Sequence, residues 1–244
     1  QNWEAIFWAD ASCNNDSEIV LAVAKQNGLA NGLALEWADA SCKGDHEIVL
    51  AAVKQNGRVL EWAAEGCKAD HEIVLAAVKH YGEALQRMGR PFSGLPRNAK
   101  VIVWADSSCK SDHEIVLAAV KQNGLALEWA DASCKGDHEI VLAAVKQDWR
   151  ALQLAAEGCR SDHEIVLTAV KHYGLALEWA AVGCKADHEI VLAAVKQNGR
   201  VLEWAAEGCK GDREVVLAAV KQFWRALKWA AESCKSDREI VLAA

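Results

Sequence analysis

Hydrophobic positions along this chain recur in one block. In DHEIVLAAVKQNG (45–57), Ile48, Val49, Ala52 and Val53 fall at helical spacing, and Leu50 widens the apolar arc to roughly half of the circumference. A helix of that kind has neighbours on several sides, so the pattern predicts an inner helix. Polar residues mark its ends. Asp45 stands where an N-cap side chain accepts from the free N–H groups of the first turn. Glu47 complements the positive end of the helix dipole and Lys54 the negative end. Asn56-Gly57 reads as a left-handed C-terminal stop. Upstream, GLALEWADASC (32–42) predicts a second helix, with Glu36 and Asp39 outward and Ala34, Ala38 and Cys42 inward, flanked by Leu35 and Trp37. Four other copies place Glu where this one has Ala40 (Glu65, Glu157, Glu207, Glu232), extending an acidic outer strip. Two-residue alternation, the mark of a half-buried strand, is absent.

The block repeats. Cysteines stand at 13, 42, 67, 109, 134, 159, 184, 209 and 234, so the gaps are 29, 25, 42 and then 25 five times. The period is 25, with four extra residues at 29–32 and seventeen between Tyr81 and Lys100. Three residues after each cysteine comes an aspartate: Asp16, Asp45, Asp70, Asp112, Asp137, Asp162, Asp187, Asp212 and Asp237, all predicted as structural caps. A pair of short helices cannot bury its own faces, whereas stacked pairs can. The expected fold is all-α: an α-solenoid of about nine 25-residue helix-turn-helix repeats, which at 8–10 Å per packed helix would reach roughly 80–90 Å. The expected organisation is a three-unit array at 1–81, an insert loop at 82–99 and a six-unit array at 100–244, its last unit truncated. Both ends read as cut: the N-terminus has neither an initiator Met nor a secretory signal, and the C-terminal DREIVLAA stops inside the block.

DHEIVLAAVKQNG followed by ALEWA resembles the repeats of the family called domain of unknown function 4116, abundant in algal and protist proteins. The likeness covers nearly the whole chain outside the long insert, and one family unit would span two of these periods. In that family Arg commonly stands at the place of His46 and Leu at that of Cys42; here Arg213 and Arg238 occupy the former in the last two copies. The resemblance implies a repeat fold and no assigned activity. Its distribution points to an algal assembly, a photosynthetic one in the plastid among them.

Charge narrows the function classes. The 27 Lys plus Arg against 34 Asp plus Glu, formally −7, argue against nucleic-acid binding, which draws on cations that neutralise phosphates. A one-base-per-repeat code is excluded on the same ground and by the uniformity of the copies. No apolar run reaches the roughly 18 residues of a membrane span, although peripheral association is compatible with the sequence.

Cys-x-x-Asp-His-Glu carries metal-ligand residue types, yet a zinc site needs about four of them within roughly 2–2.3 Å of one point. The histidine place holds His46, His71, His113, His138, His163 and His188, but Ser17, Arg213 and Arg238 in other copies, as an exposed first-turn residue would. His80 and His172 lie at the far helix ends, so no HExxH pair forms. The cysteines are expected in the core as free thiols, because rung spacing exceeds the 4.4–6.8 Å between disulfide-linked Cα atoms. Free thiols in this number suit a reducing compartment, plastid or cytoplasm. Trp8, Trp37, Trp62, Trp104, Trp129, Trp179, Trp204 and Trp229 precede cysteines by five residues, with Leu154 in the ninth copy. They are expected to wedge between rungs, while Trp3, Trp149 and Trp224, at the loop-glycine place, are expected partly exposed.

The expected function is thus a non-enzymatic scaffold or linker that binds protein subunits of a larger complex and carries no cofactor. The alternative is a metal- or pigment-binding protein using the repeated quartets and tryptophans. The insert holds the candidate partner-binding residues: Arg87, Met88, Arg90, Pro91, Phe92, Pro96 and Arg97. It is locally basic, contains both prolines and the single Met, and exceeds the usual 12–15-residue ceiling for loops without a role.

Overall fold

The computed structural model describes residues 16–25, 34–87 and 101–244, and among them every regular element is helical. The fold is an all-α repeat solenoid. It divides into two compact units, Gln1–Gln122 with Trp129–Asp131, and Asn123–Glu128 with Ala132–Ala244.

In the second unit each rung has three elements where the sequence predicts two. The long helix, α1 at His163–His172, α2 at His188–Gln197 and α3 at Arg213–Gln222, buries the predicted stripe; Ile190, Val191, Ala194 and Val195 are fully enclosed in α2. Its cap Asp187 is extended (φ −77°, ψ 124°) and accepts from the Ile190 N–H at 3.0 Å. Asp16, Asp45, Asp70, Asp112, Asp137, Asp162, Asp212 and Asp237 accept in the same way from first-turn N–H groups.

The predicted second helix is broken. Gly199–Trp204 winds as a 3₁₀ turn, Ala205 and Ala206 are extended (ψ 151° and 159°), and Glu207–Lys210 forms one α turn. Within the first unit the predicted second helix is broken likewise, with Ala34–Trp37 and Ala40–Lys43 as separate α turns. There Asp39, exposed as expected, also caps the second turn, accepting from Ser41 N–H at 3.0 Å. That bond holds its carboxyl below the usual carboxylate range, and the bond to Ser108 does the same for Asp106.

Two further expectations change. Asn56 and Asn198 are extended (φ −152°), with no left-handed stop; each side chain accepts from the N–H two residues on and so opens the next 3₁₀ turn. The glycine that follows answers to crowding: a Cβ on Gly199 would lie 2.2 Å from the Ala219 carbonyl oxygen of the next rung. The leucine two residues before the tryptophan place, set at the flank of the stripe, is core in most copies and half-buried at Leu227. Leu35, Leu60, Leu152, Leu177 and Leu202 are at most 1% exposed. The tryptophans expected between rungs are not enclosed: Trp62, Trp104, Trp179, Trp204 and Trp229 are half-buried and Trp37 is exposed.

In the first unit the rung holding His71 sits directly against the one after the insert. Asp106 N–H donates to Lys68 O at 2.9 Å, the bond that Ala64 makes to Lys43 O between uninterrupted rungs. Lys79 Nζ lies 3.3 Å from Glu114. The packing therefore bypasses the insert. Its first residues are helical, because the helix starting at His71 runs to Arg87, seventeen residues, against ten for His113–Gln122.

Candidate functional site

The chemistry-bearing side chains meet at the seams between rungs. Three kinds of bond recur across the seams. The first is backbone: Ala156, Ala181, Ala206 and Ala231 donate to the carbonyls of Lys135, Arg160, Lys185 and Lys210 in the preceding rung, at 2.8–2.9 Å. Those donors sit just before the one-turn helix, in the extended step that breaks the predicted helix. Extending the chain there aims the N–H across the seam and satisfies a group that would otherwise be orphaned.

The second is a thiol bond. Cys184, Cys209 and Cys234 place Sγ 3.4, 3.5 and 3.4 Å from the carbonyl oxygens of Ser161, Ala186 and Gly211. Eight cysteines, Cys42 to Cys234, are buried free thiols; Cys13 lies outside the described residues. Burial pushes the thiols of Cys67, Cys109, Cys159, Cys184 and Cys209 up, and nearby cap aspartates add to this. The thiolate is the nucleophile and metal ligand, so these thiols are held in their unreactive form.

The third bond involves the histidines, expected to be bystanders on the first turn. His138 Nε2 lies 3.5 Å from Asp162 Oδ1 and 3.9 Å from Glu164 Oε2 of the next rung. His46, His71, His163 and His188 repeat the arrangement at 3.5–3.7 Å to the aspartate and 3.7–4.0 Å to the glutamate. Arg213 explains the residue choice. Its guanidinium reaches Asp237 at 3.0 Å and also Glu239, so a long nitrogen-bearing side chain at this place reaches the next cap. A protonated imidazole and a guanidinium share that capability, and Arg213 helps hold the Asp237 carboxyl below its ordinary range, after the Ile240 N–H.

The seam therefore gathers imidazole and two carboxylates, but with the geometry of an ion pair. The aspartate oxygen facing the imidazole already accepts the first-turn N–H. Among the described residues no group of three or more His, Cys, Asp or Glu side chains is placed to hold a metal ion, and no helix is long and apolar enough to cross a membrane.

Seven stretches of the chain, most of them overlapping, match the domain of unknown function DUF4116: residues 16–66, 45–89, 95–135, 112–160, 137–182, 162–208 and 212–244. The chain belongs to this family. No curated protein and no solved structure matches it. Most of the DUF4116 stretches cover about two 25-residue periods, so one family unit contains one complete seam.

Aromatic residues form the remaining feature of this DUF4116 chain. Trp149 is half-buried and stacks on Trp179 (centroids 5.3 Å, planes 22° apart), with Tyr173 at 4.5 Å. Trp224, one period after Gly199, is 59% exposed. Trp3 lies outside the described residues, as do Trp8 and the candidate partner residues Met88, Arg90, Pro91, Phe92, Pro96 and Arg97. Arg87 ends the helix that begins at His71.

Proposed function

We propose that the chain is a non-enzymatic repeat scaffold or linker that binds protein subunits of a larger assembly. The observation that carries this reading is the use made of the reactive residue types. Caps, thiols and imidazoles are spent on joining one rung to the next, and burial keeps the thiols protonated. Stacked repeats present long surfaces to protein partners. The insert is our candidate for the specific contact, since the packing of the first unit bypasses it. The buried free thiols suit a reducing compartment.

The test is co-purification from native extract with the whole chain as bait, paired with a variant lacking 83–99, which restores the 25-residue period. Defined proteins should co-purify in stoichiometric amount, with a metal content well below one per chain. The deletion should keep helical content and melting while weakening partner binding at least about tenfold, roughly 1.4 kcal/mol. Unimpaired binding would move the contact to the rungs, and stoichiometric bound metal would overturn the scaffold reading.

A further inference from the structure

Serines occupy two places in the repeat, and only one of them has acid downstream. Ser111, Ser161 and Ser236 stand just before the cap aspartate, where other copies have Gly44, Gly136, Gly211, Ala69 and Ala186. Each is followed by a carboxylate one residue on and another three residues on: Asp112 and Glu114, Asp162 and Glu164, Asp237 and Glu239. Ser41, Ser108 and Ser133, on the one-turn helices, are followed by Cys and Lys instead. Burial does not distinguish the two sets, because Ser111 and Ser161 are exposed and so are Ser41, Ser108 and Ser133.

The fold sharpens the difference. Ser161 is the C-cap of the turn Glu157–Arg160, and its hydroxyl donates to Glu157 O at 2.9 Å. Ser111 caps Ser107–Lys110 in the same way, its hydroxyl 2.9 Å from Ser108 O. The carboxylates that follow Ser161 converge: Asp162 Oδ1 and Glu164 Oε2 lie 3.5 and 3.9 Å from one nitrogen, His138 Nε2. Asp112 and Glu114 converge on His71 Nε2 at 3.6 and 3.8 Å. Each pair therefore stays side by side in the folded turn, and the side chains of Glu114 and Glu164 are 60% and 63% exposed. An exposed hydroxyl beside two gathered carboxylates is what a cationic substrate groove can read, since charge patterns of this kind set kinase–substrate specificity.

We propose that Ser111 and Ser161 are phosphorylation sites for an acidophilic serine kinase, one that reads carboxylates at the first and third positions after the hydroxyl. The serine Oγ attacks the γ-phosphorus of a nucleoside triphosphate. The Oγ–P bond forms as the P–O bond to the β-phosphate breaks, the diphosphate leaves, and the hydroxyl proton passes to the kinase's base. Each phosphate adds about −1.5 to −2 charges at pH 7, so the modification changes the surface of two defined rungs.

The test incubates the whole folded chain with magnesium ATP and an acidophilic serine kinase that is active on a peptide of residues 157–168. Mass spectrometry then follows phosphate at each serine with time. Ser111 and Ser161 should be labelled at least about tenfold faster than Ser41 and Ser133. Glu164→Gln removes a charge at constant size on an exposed first turn. It should slow Ser161 at least about tenfold and leave Ser111 unchanged, and Glu114→Gln should do the reverse. Should either variant fail to fold, the other carries the test, because each reads a separate serine. Labelling of the peptide with none of Ser111 or Ser161 in the folded chain would overturn the proposal, since the turn would then withhold the hydroxyl. Equal labelling of Ser41 and Ser133, or rates indifferent to the Gln variants, would overturn it as well.

Discussion

Rungs that open on glycine and rungs that open on tryptophan solve the same packing problem differently. At Gly174 and Gly199 the 3₁₀ turn comes so close to the next rung that an added Cβ would meet a backbone carbonyl oxygen at 2.6 and 2.2 Å. At Trp149 the following segment, Ala151–Leu154, is a single α turn, and the indole fills the seam by stacking on Trp179. One design joins rungs through backbone contact, the other through rings. The difference teaches that the seam tolerates a local change of helix type as long as its long-range bonds persist. Ala181 still donates to Arg160 O across the seam that Trp149 flanks.

The largest effect is expected where glycine permits the contact. Gly199→Ala should cost on the order of 1–3 kcal/mol, because a backbone carbonyl cannot rotate away and overpacking forces the rungs apart. Gly174→Ala should cost less, in line with its longer 2.6 Å approach. Urea denaturation measures both. A neutral Gly199→Ala would show that a glycine rung converts freely to the form seen at Trp149, and the comparison would collapse.

Alkaline pH should act on both kinds of rung through the thiols. Burial raises the pKa of Cys67, Cys109, Cys159, Cys184 and Cys209 in the folded chain. Unfolded thiols ionise near pH 8.5. A native state that holds the proton is fully stabilised below that pH and loses the contribution as pH rises through the folded values. Urea midpoints under reducing conditions should therefore fall as pH rises above about 8.5, and removing Cys184 and Cys209 together should flatten the slope. A level profile with all cysteines present would mean that the thiols are solvated.

Cys184 alone offers a smaller, cleaner probe of the seam. Cys184→Ala deletes a buried sulfur and its contact with Ser161 O, and should cost about 1–2 kcal/mol. Cys184→Ser keeps a donor for that carbonyl, so it separates the hydrogen bond from the volume. If both variants are neutral, the thiol contributes nothing to the seam.

These results mark what the sequence could reveal. Period, the long helix and its buried stripe Ile190, Val191, Ala194 and Val195 are local or repetitive signals, and spacing alone predicts them. The break in the second helix was hidden because its cause lies in another rung: Ala206 N–H turns outward to meet Lys185 O, twenty-one residues back. The glycine was misread for the same reason, as a local stop, when its neighbour Ala219 stands twenty residues ahead. Leucine and tryptophan exchanged roles on α and 3₁₀ turns alike, Leu35 and Leu202 being buried while Trp37 is exposed and Trp204 half-buried, because the turn ends at the tryptophan where a continuous helix is presumed. The one available signal for the seam was the exchange of His for Arg at a fixed distance from Asp, which points to a shared nitrogen donor more than to indifference.

That exchange supplies the smallest prediction. His188 Nε2 lies 3.5 Å from Asp212 and 3.9 Å from Glu214, and its side chain is half exposed, so water and salt screen the pair. Exposed pairs of this kind contribute about 0.2–1 kcal/mol. His188→Ala should lose no more than that, and the loss should shrink at high salt. His188→Arg should be neutral or slightly stabilising, because Arg213 already makes the same bridge to Asp237 and Glu239 one rung later. A planar guanidinium also matches two carboxylates better than an imidazole does. Double substitution of His188 and Asp212 would isolate the pair, with a coupling of a few tenths of a kcal/mol expected. If arginine proves worse than alanine, the place demands an imidazole as such, and a ligand or proton-transfer role for the histidines would replace the bridging one.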